Sequence, residues 1–398
     1  MATVLDYLKW RSDLPLDDRV PLNDVDMVIL SRFSYLPLDL LTLAETETVH
    51  SIASAMKALE PEAFRRQDGD LIRLMDNGPR FSGIGVTDYE KHNDAEEEKQ
   101  FAAVTLHLND GEMVLSYCGT DSTLVGWKED FNMSFSDQVP AQAEAIAYAG
   151  KILQKYPEKK VHLVGHSKGG NLAVYVMYCL PEEERSRLIS VRNFDGPGFH
   201  REFLEEHASD ALTGKLITYV PPDSIFGRIL ERVEPYTVIR STEKQANQHD
   251  VYSWQVGRRK LLQEEDGLSD FSNIIAEVLS KVMYQNTPEQ RKIFIDGIFE
   301  LVSATSATTT AEAKQNLVRS MPAIVKTMNA MPEEDRKLLS TILGEFGSAF
   351  GESMAKTQGE KIAAALQLPA SWFGREGSAR EEDSEKPEKP KGAAPGKV

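Results

Sequence analysis

Three residue types far apart in this chain could together cleave an acyl bond. Ser167 stands in Val161-His162-Leu163-Val164-Gly165-His166-Ser167-Lys168-Gly169-Gly170-Asn171-Leu172-Ala173, an apolar strand-like run that passes through Gly-x-Ser-x-Gly into helix-forming residues. A serine on a tight strand-to-helix turn projects its hydroxyl clear of the sheet, and such a turn has no room for a Cβ two residues before or after it. Gly165 and Gly169 therefore belong to the elbow with Ser167. A serine hydroxyl is a poor nucleophile until a base accepts its proton, and the base needs a carboxylate to orient it. Three histidines follow Ser167. His200 and His207 come directly after the strand expected to end at Phe194, too early to leave space for an acid on a later strand, so His249 is the natural base.

Two aspartates compete for the orienting role, each just past an expected strand. Chain order in hydrolases with a serine elbow runs serine, acid, histidine, which favours Asp223 in Thr218-Tyr219-Val220-Pro221-Pro222-Asp223-Ser224. Asp195, in Asn193-Phe194-Asp195-Gly196-Pro197-Gly198, is the alternative acid, and Asp-Gly-Pro-Gly also serves as ordinary turn chemistry. The oxyanion of an acyl-transfer intermediate needs backbone donors, one from the residue after the nucleophile and one from a loop after an earlier strand. The Lys168 N–H supplies the first. Thr120, in Leu115-Ser116-Tyr117-Cys118-Gly119-Thr120-Asp121, is the candidate for the second, because Gly119 permits a tight turn at a strand end and Thr120 offers both an amide and a hydroxyl.

The elements that would hold these residues follow from the apolar pattern. Helical spacing marks 25–36 and 47–59, and β-rich runs cover 81–89, 101–108 and 113–117, with a charged insert at 90–99 read as a solvated loop. Asn109-Asp110-Gly111 is a strong hairpin signal between the second and third of those runs. From Val139 onward helix and strand alternate: a helix at 141–155, a strand at 161–164, a helix at 168–179, then strands at 188–194, 215–220 and 236–240. Alternation of this kind predicts a mixed, mostly parallel sheet covered on both faces, an α/β-hydrolase layout in which ligands sit at the carboxyl ends of the strands, where Ser167 falls. After about Lys260 strand signals stop. Amphipathic helical segments at 271–284, 288–302, 311–331 and 333–350 form an added C-terminal helical region, whose apolar stripes read as packing faces. Thr287, Pro288 and Gln290 are a good helix start, as N-cap, first helical residue and third. The domain reading is 1–260 hydrolase domain, 261–370 helical region, and 371–398 a charged tail too poor in apolar residues to order itself.

With 398 residues, 41% of them hydrophobic, the chain can bury a substantial core, and its net charge of -17 argues against nucleic acid as a partner. No apolar run approaches the roughly 20 residues needed to span a bilayer, and the first residues lack the basic and apolar regions of a secretion signal, so a cytoplasmic location is expected. The two cysteines, Cys118 and Cys179, lie in apolar surroundings without a ligand spacing and read as buried thiols. No metal or cofactor is implied.

Tyr-Cys-Gly-Thr-Asp-Ser with Trp127 and Asp130 downstream, Gly-His-Ser-Lys-Gly-Gly-Asn-Leu-Ala, Thr-Tyr-Val-Pro-Pro-Asp-Ser-Ile-Phe and a late histidine before Tyr and Trp resemble the ordered motifs of the class 3 (fungal triacylglycerol) lipases. The chain as a whole, with its Leu5-Asp6-Tyr7-Leu8-Lys9-Trp10 opening, resembles a bacterial family of lipase-like α/β-hydrolases without an assigned activity. The resemblance spans about 2–257. It implies Ser167 as nucleophile, Asp223 as acid, His249 as base, and Thr120 with Lys168 as oxyanion donors. Class 3 lipases usually carry leucine where Lys168 stands, and nothing between Thr120 and Pro140 is a long apolar lid. The expected activity is that of a serine esterase acting on an acyl or lipid-like ester; the alternative is a hydrolase-fold scaffold that binds another protein.

Overall fold

The computed structural model describes residues 1–94, 96, 99–108, 111–120, 133, 138–303, 326–327, 329–341, 344 and 348. Its centre is one eight-stranded sheet whose spatial order follows the chain: β1 (Glu47–Thr48), β2 (Gly85–Asp94), β3 (Lys99–His107), β4 (Met113–Tyr117), β5 (Val161–His166), β6 (Leu188–Phe194), β7 (Leu216–Val220) and β8 (Tyr236–Val238). β1 to β4 pair antiparallel, and β4 to β8 pair parallel. The helices are α1 (Val4–Arg11), α2 (Asp24–Phe33), α3 (Val49–Met56), α4 (Asp68–Met75), α5 (Pro140–Lys155), α6 (Lys168–Cys179), α7 (Arg201–His207), α8 (Asp270–Gln285) and α9 (Pro288–Ser303), with shorter turns between them. This is the mixed sheet of an α/β-hydrolase.

Strand alternation divides the core in two. On β4, Val114 faces the cluster built with α1 to α4, while Met113, Leu115 and Tyr117 face the cluster built with α5, α6 and α7. On β5, Val164 joins the first cluster and Val161 with Leu163 the second. Helix α2 is the most enclosed helix on the first face. The Asn23 side chain caps it by accepting from the Val25 and Asp26 amides, and the Ser116 hydroxyl of β4 donates to its Leu30 carbonyl at 2.8 Å. On the opposite face α5 begins with Pro140 at its first position, and Gln142 accepts from the Val139 amide at 3.0 Å.

One expectation fails in an instructive way. The charged insert at 90–99 is mostly strand, because β2 runs on to Asp94 and β3 begins at Lys99. Backbone pairing does not require apolar side chains, so the hairpin projects beyond the core with Lys91, His92 and Asn93 exposed. Glu90 instead pairs with Lys151 and Lys91 with Asp39. The β3–β4 hairpin has the expected antiparallel pairing, and Gly111 adopts a φ of 85°; Asn109 and Asp110 lie outside the described residues. Also outside them are Trp127, Asp130, most of 311–331, part of 333–350 and the tail. No helix among the described residues is long and apolar enough to cross a membrane.

Two buried ion pairs pin the helices of the first face. Asp26 holds the Arg80 guanidinium, both groups wholly enclosed, and also accepts from the Tyr7 hydroxyl at 2.9 Å. Asp68 holds Arg32 through two bonds of 2.6 and 2.7 Å and accepts from the Tyr252 hydroxyl at 2.5 Å, which fastens α2 and α4 to the segment after His249. Removing one partner of such a pair strands the other charge without compensation. Asp68→Ala should therefore lower unfolding stability by about 3–5 kcal/mol in urea denaturation, whereas exchange of an exposed pair such as Asp70 with Arg73 should cost less than about 1 kcal/mol.

Candidate active site

Ser167 joins β5 to α6 with φ 59° and ψ −135°, a conformation that a side-chain-bearing residue occupies only when its surroundings enforce it. Two backbone bonds do so: the Ser167 N–H donates to the Phe194 carbonyl at 2.9 Å, and the Gly170 N–H donates to the Ser167 carbonyl at 2.8 Å. The flanking glycines are dictated by contact. A Cβ on Gly165 would fall 2.0 Å from the Gly169 carbonyl oxygen, and one on Gly169 would fall 2.1 Å from the Tyr117 carbonyl oxygen at the end of β4. The loop after β4 comes equally close, since a Cβ on Gly119 would lie 2.4 Å from the His166 carbonyl oxygen and 3.0 Å from the Ser167 Cβ. Gly119, the residue before Thr120, is thus a neighbour of the nucleophile, as is the first amide of α6, that of Lys168. The Lys168 side chain is fully enclosed, and its ammonium donates to the Gln100 carbonyl on β3 at 2.8 Å.

His249 closes a 3-10 turn over Gln245–His249, and its Nδ1 lies 2.7 Å from Asp195 Oδ2. The carboxylate fixes the tautomer: Nδ1–H donates to Asp195, which leaves Nε2 as the nitrogen able to take a proton. Asp195 follows β6 directly and has φ 54°, a left-handed conformation that aspartate tolerates better than most residues. Its amide donates to the Tyr219 carbonyl at 2.8 Å. The turn beyond it is held by Asn193, which accepts from the Gly196 amide at 2.9 Å, and by Asn171 of α6, which donates to the Gly198 carbonyl at 2.9 Å. The second Asp195 oxygen accepts from the Ser224 hydroxyl at 2.5 Å. Behind it lies the buried Arg232 guanidinium, bonded to the carbonyls of Gly196 and Gly227 and pushed below the usual arginine range by its burial.

The expectation that Asp223 stands behind the imidazole is not met. The end of β6 reaches His249, and Asp223, past the end of β7, is engaged elsewhere: Oδ2 accepts from the Gln245 amide at 2.7 Å, and Oδ1 accepts from the Ser269 hydroxyl at 2.6 Å. Its own amide donates to Gln248 Oε1 at 2.8 Å. Asp223 thus fastens the backbone turn that carries His249 and leaves the ring to Asp195.

His166, the variable residue of the elbow motif, is a participant that sequence reasoning passed over. Its ring lies 4.5 Å from that of His249, centroid to centroid, and its Nε2–H donates to the His249 carbonyl at 2.8 Å. Its Nδ1 is then the acceptor, 3.1 Å from the Tyr35 hydroxyl, which is equally near the His166 carbonyl. Tyr35 in turn lies under the Arg32 guanidinium, 3.9 Å from the ring centroid. The Phe226 ring is also close to the base, 4.2 Å from that of His249. His166 offered one sequence signal, a titratable residue beside the nucleophile; Tyr35 and Phe226 offered none, because their places depend on distant packing. Among the described residues, no three His, Cys, Asp or Glu side chains gather as a metal site.

A family model described as Mbeg1-like matches residues 75–300, more than half of the chain. No curated protein matches the chain. Among solved structures, the chain is similar to a fungal lipase at 11% identity and a TM-score of 0.37, over 62% of this chain and 91% of that one. It is similar to a fungal lipase in an inhibitor complex at 12% identity and a TM-score of 0.36, over 55% and 80% of the two chains. A lipase from Rhizopus microsporus var. chinensis matches at 13% identity and a TM-score of 0.34, over 66% and 90%.

Burial, with the nearby His249 adding to it, pushes His166 well below the ordinary histidine range. An unfolded chain binds this proton below about pH 6.5, whereas the native state does not. His166 therefore destabilises the fold progressively as pH falls through that value, by up to about 1.4 kcal/mol per pH unit. Urea denaturation of His166→Gln should show a shallower loss of stability between neutral and mildly acidic pH than the wild type; parallel curves would remove the argument.

Proposed function

The chain belongs to the Mbeg1-like family, and on that footing we propose that its lipase-like α/β-hydrolase scaffold is a serine esterase that cleaves an acyl or lipid-like ester through an acyl-enzyme. The observation that carries this reading is the 2.7 Å contact between Asp195 and His249, together with Ser167 held at positive φ in the elbow. Ser167 Oγ attacks the ester carbonyl while His249 Nε2 takes its proton. Asp195 keeps the imidazole in the required tautomer and stabilises the imidazolium that forms. The Lys168 and Thr120 amides receive the negative charge that develops on the carbonyl oxygen. His249 then protonates the departing alcohol, and a water activated by the same nitrogen releases the acid, restoring Ser167. No step requires a metal or an organic cofactor. The buried Lys168, anchored to β3, fixes the start of α6 and with it the first oxyanion donor.

A fluorophosphonate should modify Ser167 and no other serine, with labelling abolished in Ser167→Ala. Absence of labelling in folded wild type would overturn the enzyme reading and leave a hydrolase-fold scaffold in its place. In a panel of nitrophenyl esters of graded chain length, Asp195→Asn should lose on the order of 10⁴ in turnover by presenting the wrong histidine tautomer. Asp223→Asn, which loosens the turn and leaves the ring's partner in place, should lose far less. The reverse ranking in folded variants would make Asp223 the acid.

A further inference from the structure

The acid does not stand on its own strand end alone. Asp195 Oδ1 accepts from Ser224, which is only 1% exposed, and the backbone carbonyl of the same Ser224 accepts from the Ser272 hydroxyl at 2.7 Å. Ser272 is fully buried in the first turn of α8. The helix start is itself anchored nearby: Ser269 caps it by accepting from the Ser272 amide, donates its hydroxyl to Asp223, and sends its own amide to the Pro222 carbonyl at 3.0 Å. Gly227 makes room for the junction, since a Cβ there would lie 2.4 Å from Asp195 Oδ1 and 2.8 Å from Ser224 Oγ. Farther along α8, Tyr284 lies against Arg201 of α7, 5.2 Å from guanidinium to ring centroid.

We infer that Ser224 is a positioning residue for the acid–base pair and that helix α8, through Ser272, holds Ser224 in place, so that the C-terminal helical region supports catalysis from behind the acid. A carboxylate with two oxygens can rotate, and one that rotates swings the imidazole it holds out of line with the serine. With Oδ1 fixed by a hydroxyl that is itself fixed by α8, Oδ2 has one direction left, toward His249. The neutral hydroxyl donor also tempers the carboxylate's charge as felt by the ring. Among the described residues, the charged or titratable groups around the pair include Arg228, Arg232 and Glu234 between β7 and β8, His166 from β5, Asp223 bonded to the turn that carries His249, and Asp250 beside His249 with its partner Arg66. None of these is altered by removing the Ser224 hydroxyl. The inference rests on the serine-hydrolase reading above and extends it to a part of the chain outside the sheet.

The experiment is the pH profile of fluorophosphonate labelling at Ser167 in the full chain, for wild type, Ser224→Ala and Ser272→Ala, with folding checked by circular dichroism. Labelling should require neutral His249 and so rise with pH. Ser224→Ala should label roughly tenfold more slowly, with its midpoint moved to higher pH because the carboxylate, freed of its donor, holds the imidazolium more strongly. Ser272→Ala should move the midpoint the same way by less, and it carries the test should Ser224→Ala fail to fold. Slower labelling at an unmoved midpoint in both variants would mean a merely structural role and overturn the inference, as would wild-type rates in both. Failure of wild type to label would instead count against the serine-hydrolase reading itself, which keeps the two claims separable.

Discussion

Asp195 is a carboxylate with no exposure to solvent, and the neighbourhood of the site is arranged around the cost of that burial. An unpaired ion in such a place would cost several kcal/mol even after relaxation. Three donors or cations answer it: the His249 Nδ1–H on one oxygen, the Ser224 hydroxyl on the other, and the Arg232 guanidinium behind. Each comes from a different stretch of chain, so satisfying one charge draws the end of β6, the loop after β7 and the turn of His249 to a common point. The same requirement gives the imidazole its tautomer. A proton-accepting Nε2 follows from a buried acid on the opposite nitrogen.

The nucleophile is positioned by a different constraint, that of steric closeness. β5 must pass into α6 within a turn where backbone atoms of Gly169 and Tyr117 occupy the places that side chains would take at Gly165 and Gly169. The strained Ser167 conformation is held by a bond to the carbonyl of Phe194, the last residue of β6 and the one before Asp195. Nucleophile and acid therefore share β6 as their reference. The base is referred to the same frame by its own supports: Asp223 holds the turn, His166 bonds to its carbonyl, and Asp68 anchors Tyr252 just beyond it.

These two kinds of constraint differ in how far they can be read from sequence. The elbow was legible because its demands are local, a serine between glycines with an apolar strand before and a helix after. The mixed sheet, an antiparallel hairpin leading into parallel strands, is legible for a similar reason, since alternating periodicities and the hairpin signal at Asn109-Asp110-Gly111 each occupy a few neighbouring residues. The acid is not, because chain order favours Asp223 and the Asp-Gly-Pro-Gly turn gives Asp195 another explanation. That turn chemistry is real and the residue does both jobs, with φ 54° and a carboxylate on His249. Which strand end faces the imidazole depends on contacts between residues 54 apart in the chain, and periodicity carries no information about them. The charged stretch at 90–99 departs from its pattern for another reason: polar side chains suggest a loop, whereas strand pairing uses only the backbone.

The site depends on the His249 Nδ1–H that donates to Asp195, and proton NMR can observe that proton directly. A strongly hydrogen-bonded imidazole proton resonates far downfield of the amide envelope. Such a resonance should be present in wild type, absent in His249→Gln and Asp195→Asn, and retained in Asp223→Asn. Its survival in Asp195→Asn together with its loss in Asp223→Asn would contradict the account.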